Sequence, residues 1–317
     1  VLVKISAAAL NHRDLFIRQH LYPAIGFGVP LLADGAGTVV ETGSSPSAQK
    51  WKGKRVVINP GTGWKDDLDG PEDPNGYKIL GGTKVNPAGT LGDHIVIDAA
   101  ELEEAPTHLS DVEAASIPLT GLTAWRAVIT KSGNAKPGRN ILVTGIGGGV
   151  AIMALLFATA AGARVYVTSS SEEKLEKAKA LGAVGGVNYK DKDWSKKLKD
   201  ILPRDRPYLD AVVDGAGGDI VNQSVRILKV SGLKIDSRND TNAMLGRRCH
   251  CKLRDDSWTE NFLLNEWRPK EHRLQRKHDG LQEGIQRHDR SSQGQEGQAG
   301  SFSCRPWARY STDRWPL

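Results

Sequence analysis

The chain has 317 residues, with 43 Lys and Arg against 37 Asp and Glu, a net charge of +6. That length suggests two domains, at roughly 100–200 residues each. A basic surplus this small, with no dense Lys/Arg block, gives no ground for nucleic-acid binding, and three cysteines that all fall late (Cys249, Cys251 and Cys304) give no disulfide framework.

Taken in order, residues 1 to about 110 hold short β runs, Val1–Ile5, Gly37–Glu41, Lys54–Ile58 and His94–Asp98, punctuated by Gly and Pro. Such a pattern predicts a compact, mainly β domain with long loops. Residue 1 is Val and already lies inside a strand-like run. The chain is therefore expected to be a fragment, with any targeting segment out of view. The acidic, turn-rich stretch from Gly61 to Pro74 reads as an exposed excursion, with Trp64 as its anchor rather than a substrate contact.

Asn140 to Lys174 is the most informative stretch. Ile141-Leu142-Val143 has the length and residue types of a buried parallel strand. Gly145, Gly147, Gly148 and Gly149 follow, then a small, apolar helix from Val150 to Ala163, then a strand from Arg164 to Thr168. Strand, glycine turn, helix and strand make the unit that holds a dinucleotide pyrophosphate at a helix N-terminus. The apolar run is long enough to cross a bilayer, but the glycines at its start and Arg164 near its end argue against a span. After the second strand, where an NAD enzyme usually shows an acid, stand Thr168, Ser169, Ser170 and Ser171, with Lys174 one turn on. Hydroxyls and an ammonium suit a 2′-phosphate, so the cofactor expected is NADPH, with NADH less favoured; a capped helix start at Ser171–Lys174 is the plainer alternative. The rest of the pattern predicts a helix over Ser171–Leu181, a strand over Val187–Tyr189, an amphipathic helix over Lys192–Leu202, a strand over Leu209–Val213 and a helix over Asp219–Lys229. Asp214 and Gly215 would then sit under the cofactor. Such alternation gives a doubly wound parallel sheet, and the fold class is α/β.

Several motifs together carry a family resemblance. Leu10-Asn11-His12-Arg13-Asp14 with Leu21-Tyr22-Pro23, Ala33-Asp34-Gly35-Ala36-Gly37, and Pro118–Trp125 resemble medium-chain dehydrogenase/reductases of the quinone oxidoreductase type. The turn Gly145-x-x-Gly148-Gly149-Val150-Ala151 is similar to the form it takes in them. The resemblance covers roughly residues 1 to 230. It implies a GroES-like mainly β domain (1–115), a Rossmann domain (116–233), and hydride transfer from a nicotinamide to a quinone, an enone or a related carbonyl. By motif position, Asn11, Ala33 and Leu119 stand where zinc-dependent relatives place their Cys, His and Cys ligands, and Asp34 where they place a Glu. Ala and Leu cannot ligate a metal, and a catalytic zinc needs three protein ligands. No zinc is expected. A zinc-type alcohol dehydrogenase and a catalytically idle nucleotide-binding protein are the competing readings. Asn11, Tyr22 and Thr120 are the candidates for lining the nicotinamide and substrate cleft, against plainer roles as a turn residue, packing and a helix cap. Gly145, Gly148, Gly149, Val150, Ser170, Lys174, Tyr189, Asp214 and Gly215 are the further cofactor candidates, Tyr189 because it matches a family position beside the 2′-phosphate. For Asp14 a structural hydrogen bond is expected. The partner implied is a small-molecule substrate, not nucleic acid or a membrane, with a homodimer in intact members and a cytoplasmic location.

After Val230 the pattern breaks. No valine occurs again, while Arg, Gln, His and Trp become common. A shifted reading frame restores an amphipathic, family-like ending, so a frameshifted or mis-spliced gene model is expected. On that reading residues 234–317 form a disordered tail, the sheet is left with an unpaired edge, and Cys249-His250-Cys251 has no metal role.

Overall fold

The computed structural model describes residues 1–67, 70–217, 219–229 and 250–252. The expectations for the other residues of the 234–317 tail, and for its cysteine cluster as a whole, lie outside the described residues.

The N-terminal part opens with β1 (Leu2–Ala9), α1 (His12–Arg18), β2 (Asp34–Glu41), α2 (Pro46–Gln49) and β3 (Arg55–Ile58). It continues through β4 (Gly61–Thr62), β5 (Lys78–Ile79), β6 (His94–Val96) and β7 (Leu102–Glu104). Five of these strands form an antiparallel sheet in the order β6-β1-β2-β3-β7. Alternate residues point to one face, and Val3, Val39, Val56, Ile58, Ile95 and Leu102 bury there with Trp51 and Leu80. The expected mainly β domain is present. Its first strand runs four residues further than Val1–Ile5, because Ala7, Ala8 and Ala9 keep pairing with Ala36, Gly35 and Asp34.

Two helices then lead out of the sheet, α3 (Asp111–Ala115) and α4 (Pro118–Trp125), and a π-helical stretch covers Arg126–Lys131. Pro118 occupies the first turn of α4, where its missing N–H costs nothing. The second domain follows as β8 (Asn140–Val143), α5 (Gly149–Ala160), β9 (Arg164–Ser169), α6 (Glu172–Ala180), β10 (Gly185–Asn188), α7 (Trp194–Ile201), β11 (Ala211–Asp214), α8 (Ile220–Ser224) and β12 (His250–Lys252). Its strands are parallel in the order β10-β9-β8-β11-β12. Helices cover both faces: Ile141, Val143, Val165 and Val167 face Ala151, Ala154, Leu155 and Ala158 of α5, while Leu142, Tyr166 and Val212 face Trp194 and Leu198 of α7. The alanines of α5 let its backbone lie close to the sheet. Fully burying Leu155 contributes roughly 2–3 kcal/mol.

Three expectations are corrected. The helix over Asp219–Lys229 ends at Ser224 and passes into a 3₁₀ turn at Val225–Ile227, because Leu228 turns back to pair with Leu209. β11 also starts two residues late, at Ala211, with Leu209 paired only as an isolated bridge. Third, the outer edge of β11 is not open: His250, Cys251 and Lys252 pair with Val212, Val213 and Asp214. Parallel pairing uses backbone groups alone, so a segment without β-like composition can supply it. Among the described residues no helix is long and apolar enough to cross a membrane.

Candidate nucleotide and substrate site

The strand order reverses beside β8: the chain moves outward to β9 and β10, then returns to β11 on the other side. In an open α/β sheet this reversal, at the carboxyl ends of the strands, is where ligands bind. The two turns that meet there are the glycine turn after β8 and the Asp214 turn after β11.

In the glycine turn the backbone enters regions that L side chains avoid, with φ of +63° at Gly145 and +135° at Gly147. The Gly145 N–H donates to Thr168 Oγ1 at 3.1 Å. Gly147, Gly148 and Gly149 are exposed and α5 starts at Gly149, so the first N–H groups of a twelve-residue helix open onto this turn. Lys174 folds over it: a Cβ on Gly147 would lie 3.2 Å from Lys174 Nζ. Ser170 is exposed just past β9, and Tyr189 lies just past β10, where its N–H donates to the Ser169 carbonyl at 3.1 Å. The structure thus brings Gly145, Gly148, Gly149, Ser170, Lys174 and Tyr189 to one end of the sheet, with no carboxylate at the end of β9. Val150 is half-buried in the first turn of α5. Ser171 caps α6 by accepting the Lys174 N–H at 3.4 Å, so the capped helix start and the cationic rim are both present.

Asp214 is buried and faces inward. Its Oδ1 accepts from Thr144 Oγ1 at 2.6 Å and from the Ala216 and Gly217 N–H groups at 3.1 and 3.2 Å. It therefore shapes the turn that exposes Gly215 and ties β11 to β8, and its contacts are within the protein.

The second half of the site lies in the β domain. Asp34 is completely buried. One of its carboxylate oxygens accepts from Asn11 Nδ2 at 2.8 Å, and the other accepts the Leu119 N–H at 2.8 Å. Its backbone carbonyl takes Thr90 Oγ1 at 2.7 Å. Burial pushes its carboxyl up to about 7, against the lowering pull of the Asn11 and Leu119 hydrogen bonds. Leu32, two residues before it, is held at φ +67°, a strained conformation for a branched residue that sets how the chain enters β2. Asn11 is the N-cap of α1, and its backbone N–H donates to Asp14 Oδ2 at 2.7 Å; this is the structural bond expected of Asp14. Burial raises the Asp14 carboxyl as well.

Thr120 lies within α4 rather than at its cap. Its hydroxyl donates back to the Ser116 carbonyl at 2.8 Å, which turns its methyl outward: a Cβ on Gly149 would lie 2.9 Å from Thr120 Cγ2. Thr120 therefore touches the nucleotide turn. Tyr22 packs with its ring 4.9 Å from the Arg13 guanidinium, and Arg13 donates to the Leu80 and Gly81 carbonyls at 2.8 and 3.1 Å. The structure joins Asn11 to Asp34 and Thr120 to Gly149, while Tyr22 belongs to the Arg13 cluster.

At the positions of Asn11, Ala33 and Leu119 the residues present do not fit a catalytic zinc. Ala33 is fully buried and has no donor atom, Leu119 contributes only its backbone N–H, and Asn11 turns its amide nitrogen to Asp34. No group of three or more His, Cys, Asp or Glu side chains that could hold a metal occurs among the described residues.

Sequence reading missed the order inside the 61–77 excursion. The Glu72 carboxylate accepts the N–H groups of Lys65, Asp66 and Asp67 at 2.8, 2.7 and 2.7 Å, and these bonds hold it down to about 2. Trp64 is the anchor it was expected to be: its Nε1 donates to the Asp67 carbonyl at 2.7 Å, Tyr77 meets it edge-on, and the Arg126 guanidinium lies 4.4 Å over its ring. No spacing rule in the sequence pairs these residues.

Comparison with known proteins matches both domains. Residues 1–107 match the alcohol dehydrogenase GroES-like domain, and residues 149–233 match the zinc-binding dehydrogenase family. The zinc-type alcohol dehydrogenase-like protein YogA of Leptosphaeria maculans is 54% identical over 240 residues, covering 74% of this chain and 66% of its own. The zinc-type alcohol dehydrogenase-like protein C1773.06c of Schizosaccharomyces pombe is 45% identical over 193 residues, covering 60% of this chain and 54% of its own. The chain thus spans less than two thirds of the length of these relatives. A crystal structure of an NAD-dependent alcohol dehydrogenase superposes with a TM-score of 0.63 at 39% identity, covering 72% of this chain and 66% of that one. Quinone oxidoreductase 1 of Escherichia coli is only 28% identical. The expected quinone oxidoreductase type is corrected accordingly: the greater likeness is to the zinc-type alcohol dehydrogenase-like branch.

Proposed function

We propose that this chain, which belongs to the medium-chain dehydrogenase/reductase superfamily, carries the nucleotide and carbonyl sites of an NADPH-dependent oxidoreductase that works without a catalytic zinc. The observation that carries this reading is the glycine turn at the strand-order reversal, with the Lys174 ammonium folded over Gly147. When bound, the cofactor supplies a hydride to the carbonyl carbon, and a proton must reach the oxygen to complete the alcohol. The chain's own residues bind and orient. The α5 N-terminus and the open turn suit a pyrophosphate. Ser170, Lys174 and Tyr189 suit a 2′-phosphate, and the lack of an acid at the end of β9 separates this chain from an NAD pattern. Thr120, seated against Gly149, sets the floor between the nucleotide and the β domain.

The relatives' names favour an alcohol–carbonyl couple over a quinone, while Asn11, Ala33 and Leu119 argue against sharing a metal with them. Carbonyl polarisation then falls to hydrogen-bond donors or water. The test has three parts. NADPH fluorescence titration should show binding tighter than NADH. A panel of aldehydes, ketones, enones and quinones should show NADPH oxidation, with aldehydes and ketones fastest. Metal analysis should find substoichiometric zinc and activity that survives chelation. One tightly held zinc per chain would refute the zinc-free reading, and binding without turnover of any substrate would favour an idle nucleotide-binding protein.

A further inference from the structure

Asp34 links the two halves of the site, and nothing in the proposed hydride transfer uses it. Its two carboxylate oxygens are taken by donors on different elements, Asn11 at the N-cap of α1 and Leu119 in the first turn of α4. The next residue along α4, Thr120, seats its methyl on Gly149, the first residue of α5. A continuous series of contacts thus runs from a buried acid in the β domain to the nucleotide turn. We propose that Asp34 is a positioning residue whose ionised form pins the first turn of α4 and, through Thr120, fixes the glycine turn for the nucleotide.

The physical basis is the difference between the two protonation states. An ionised carboxyl accepts both N–H donors in charge-assisted bonds and sits at the positive end of a helix. A neutral one must turn an O–H toward a site occupied by a donor, so one of the two bonds weakens. The charged groups facing Asp34 are both on α1: Asp14 resists its ionisation and Arg13 favours it, while α4 offers only the Leu119 N–H and the loop before β6 only the neutral Thr90. Burial, working against the Asn11 and Leu119 bonds and modified by those two charges, leaves the carboxyl at about 7, where modest changes in nucleotide occupancy and in proton activity act on each other. This inference rests on the nucleotide reading only for its functional consequence. The link itself is a property of the free protein.

The experiment follows the Leu119 and Gly149 amide resonances of the free ¹⁵N-labelled protein from about pH 5.5 to about pH 8.5. Both should titrate with one midpoint near that of Asp34, and both should be flat in Asp34→Asn. Asn11→Ala, which removes a donor from the ionised form only, should move the midpoint upward. By reciprocity, saturating NADPH should lower it, and a one-unit drop corresponds to about tenfold tighter NADPH binding across the range, measured relative to Asp34→Asn to cancel titration of the nucleotide. A Leu119 amide that ignores pH overturns the proposal. So does a titrating Leu119 beside an unresponsive Gly149, or a midpoint that bound NADPH leaves in place. NADPH that fails to bind while both amides titrate overturns the functional reading and leaves the link standing.

Discussion

The glycine turn and the Asp34 junction both meet α4 but are built in opposite ways. The turn is local: Gly145, Gly147, Gly148 and Gly149 lie within five residues, and the positive φ of Gly145 and Gly147 is enough to shape it. The junction is assembled from afar, by bonds that span 23 and 85 residues. One is written in composition and the other in tertiary contact. A turn made of backbone tolerates change around it but not within it, whereas a buried carboxyl is sensitive to everything that alters its solvation.

The most severe way to stress this contrast is pH. Asp34 has its folded-state value raised, so its contribution to stability is fully present below the unfolded value of 3.8 and is lost as pH rises through about 7. Over that window the native state holds a proton that the unfolded chain has released, and stability falls by on the order of 4 kcal/mol. Urea unfolding at a series of pH values should show the fall, and Asp34→Asn should remove it. Ionisation costs the whole fold this burial energy even as it sharpens the local bonds to α4.

Next in size is the turn. Gly145→Val forces a β-branched residue to φ +63° and drives a Cβ to 3.1 Å from that of Ala216. The strain, roughly 1–3 kcal/mol, should appear as about ten- to hundredfold weaker nucleotide binding, with the pH dependence of stability altered only by the small amount that the Thr120–Gly149 contact transmits. An equal effect on that dependence would mean that the two regions are one unit. Of similar size is Lys174→Ala, which removes one charge-assisted partner worth roughly 1.5–3 kcal/mol. Isothermal titration should show NADPH affinity falling about tenfold or more while NADH affinity stays put, and a loss shared equally by both would assign Lys174 to the pyrophosphate instead. Least is Glu72→Gln. It removes the charge and turns an NH2 toward at least one of the N–H groups of Lys65, Asp66 and Asp67 on an exposed loop, so limited proteolysis should quicken at residues 65–67 with no change in the unfolding midpoint.

Much of the nucleotide domain was legible because its signals are periodic and close together. An apolar run, a glycine cluster and a helix of small residues can be read in one pass, and the observed β8, α5 and β9 begin and end within three residues of what that pass predicts. The β domain was legible as strands but not as a site. Nothing about Asn11 or Asp34 in isolation reveals that they face each other, and the choice between a cleft and a packing role for Tyr22 stays open until Arg13 is found against its ring. The helix at Asp219 was overestimated because pairing of Leu228 with Leu209 is a tertiary event with no local signature.

The sequence by itself determined the α/β class, the glycine turn and the absence of ligating side chains at Ala33 and Leu119, because each depends on residue identity alone. Only the tertiary structure decided that Asp34 would lose all contact with water, that its two oxygens would be divided between α1 and α4, and that Thr120 would rest on Gly149. Burial and orientation belong to the packed fold, and they turn an ordinary aspartate into a group poised near neutrality.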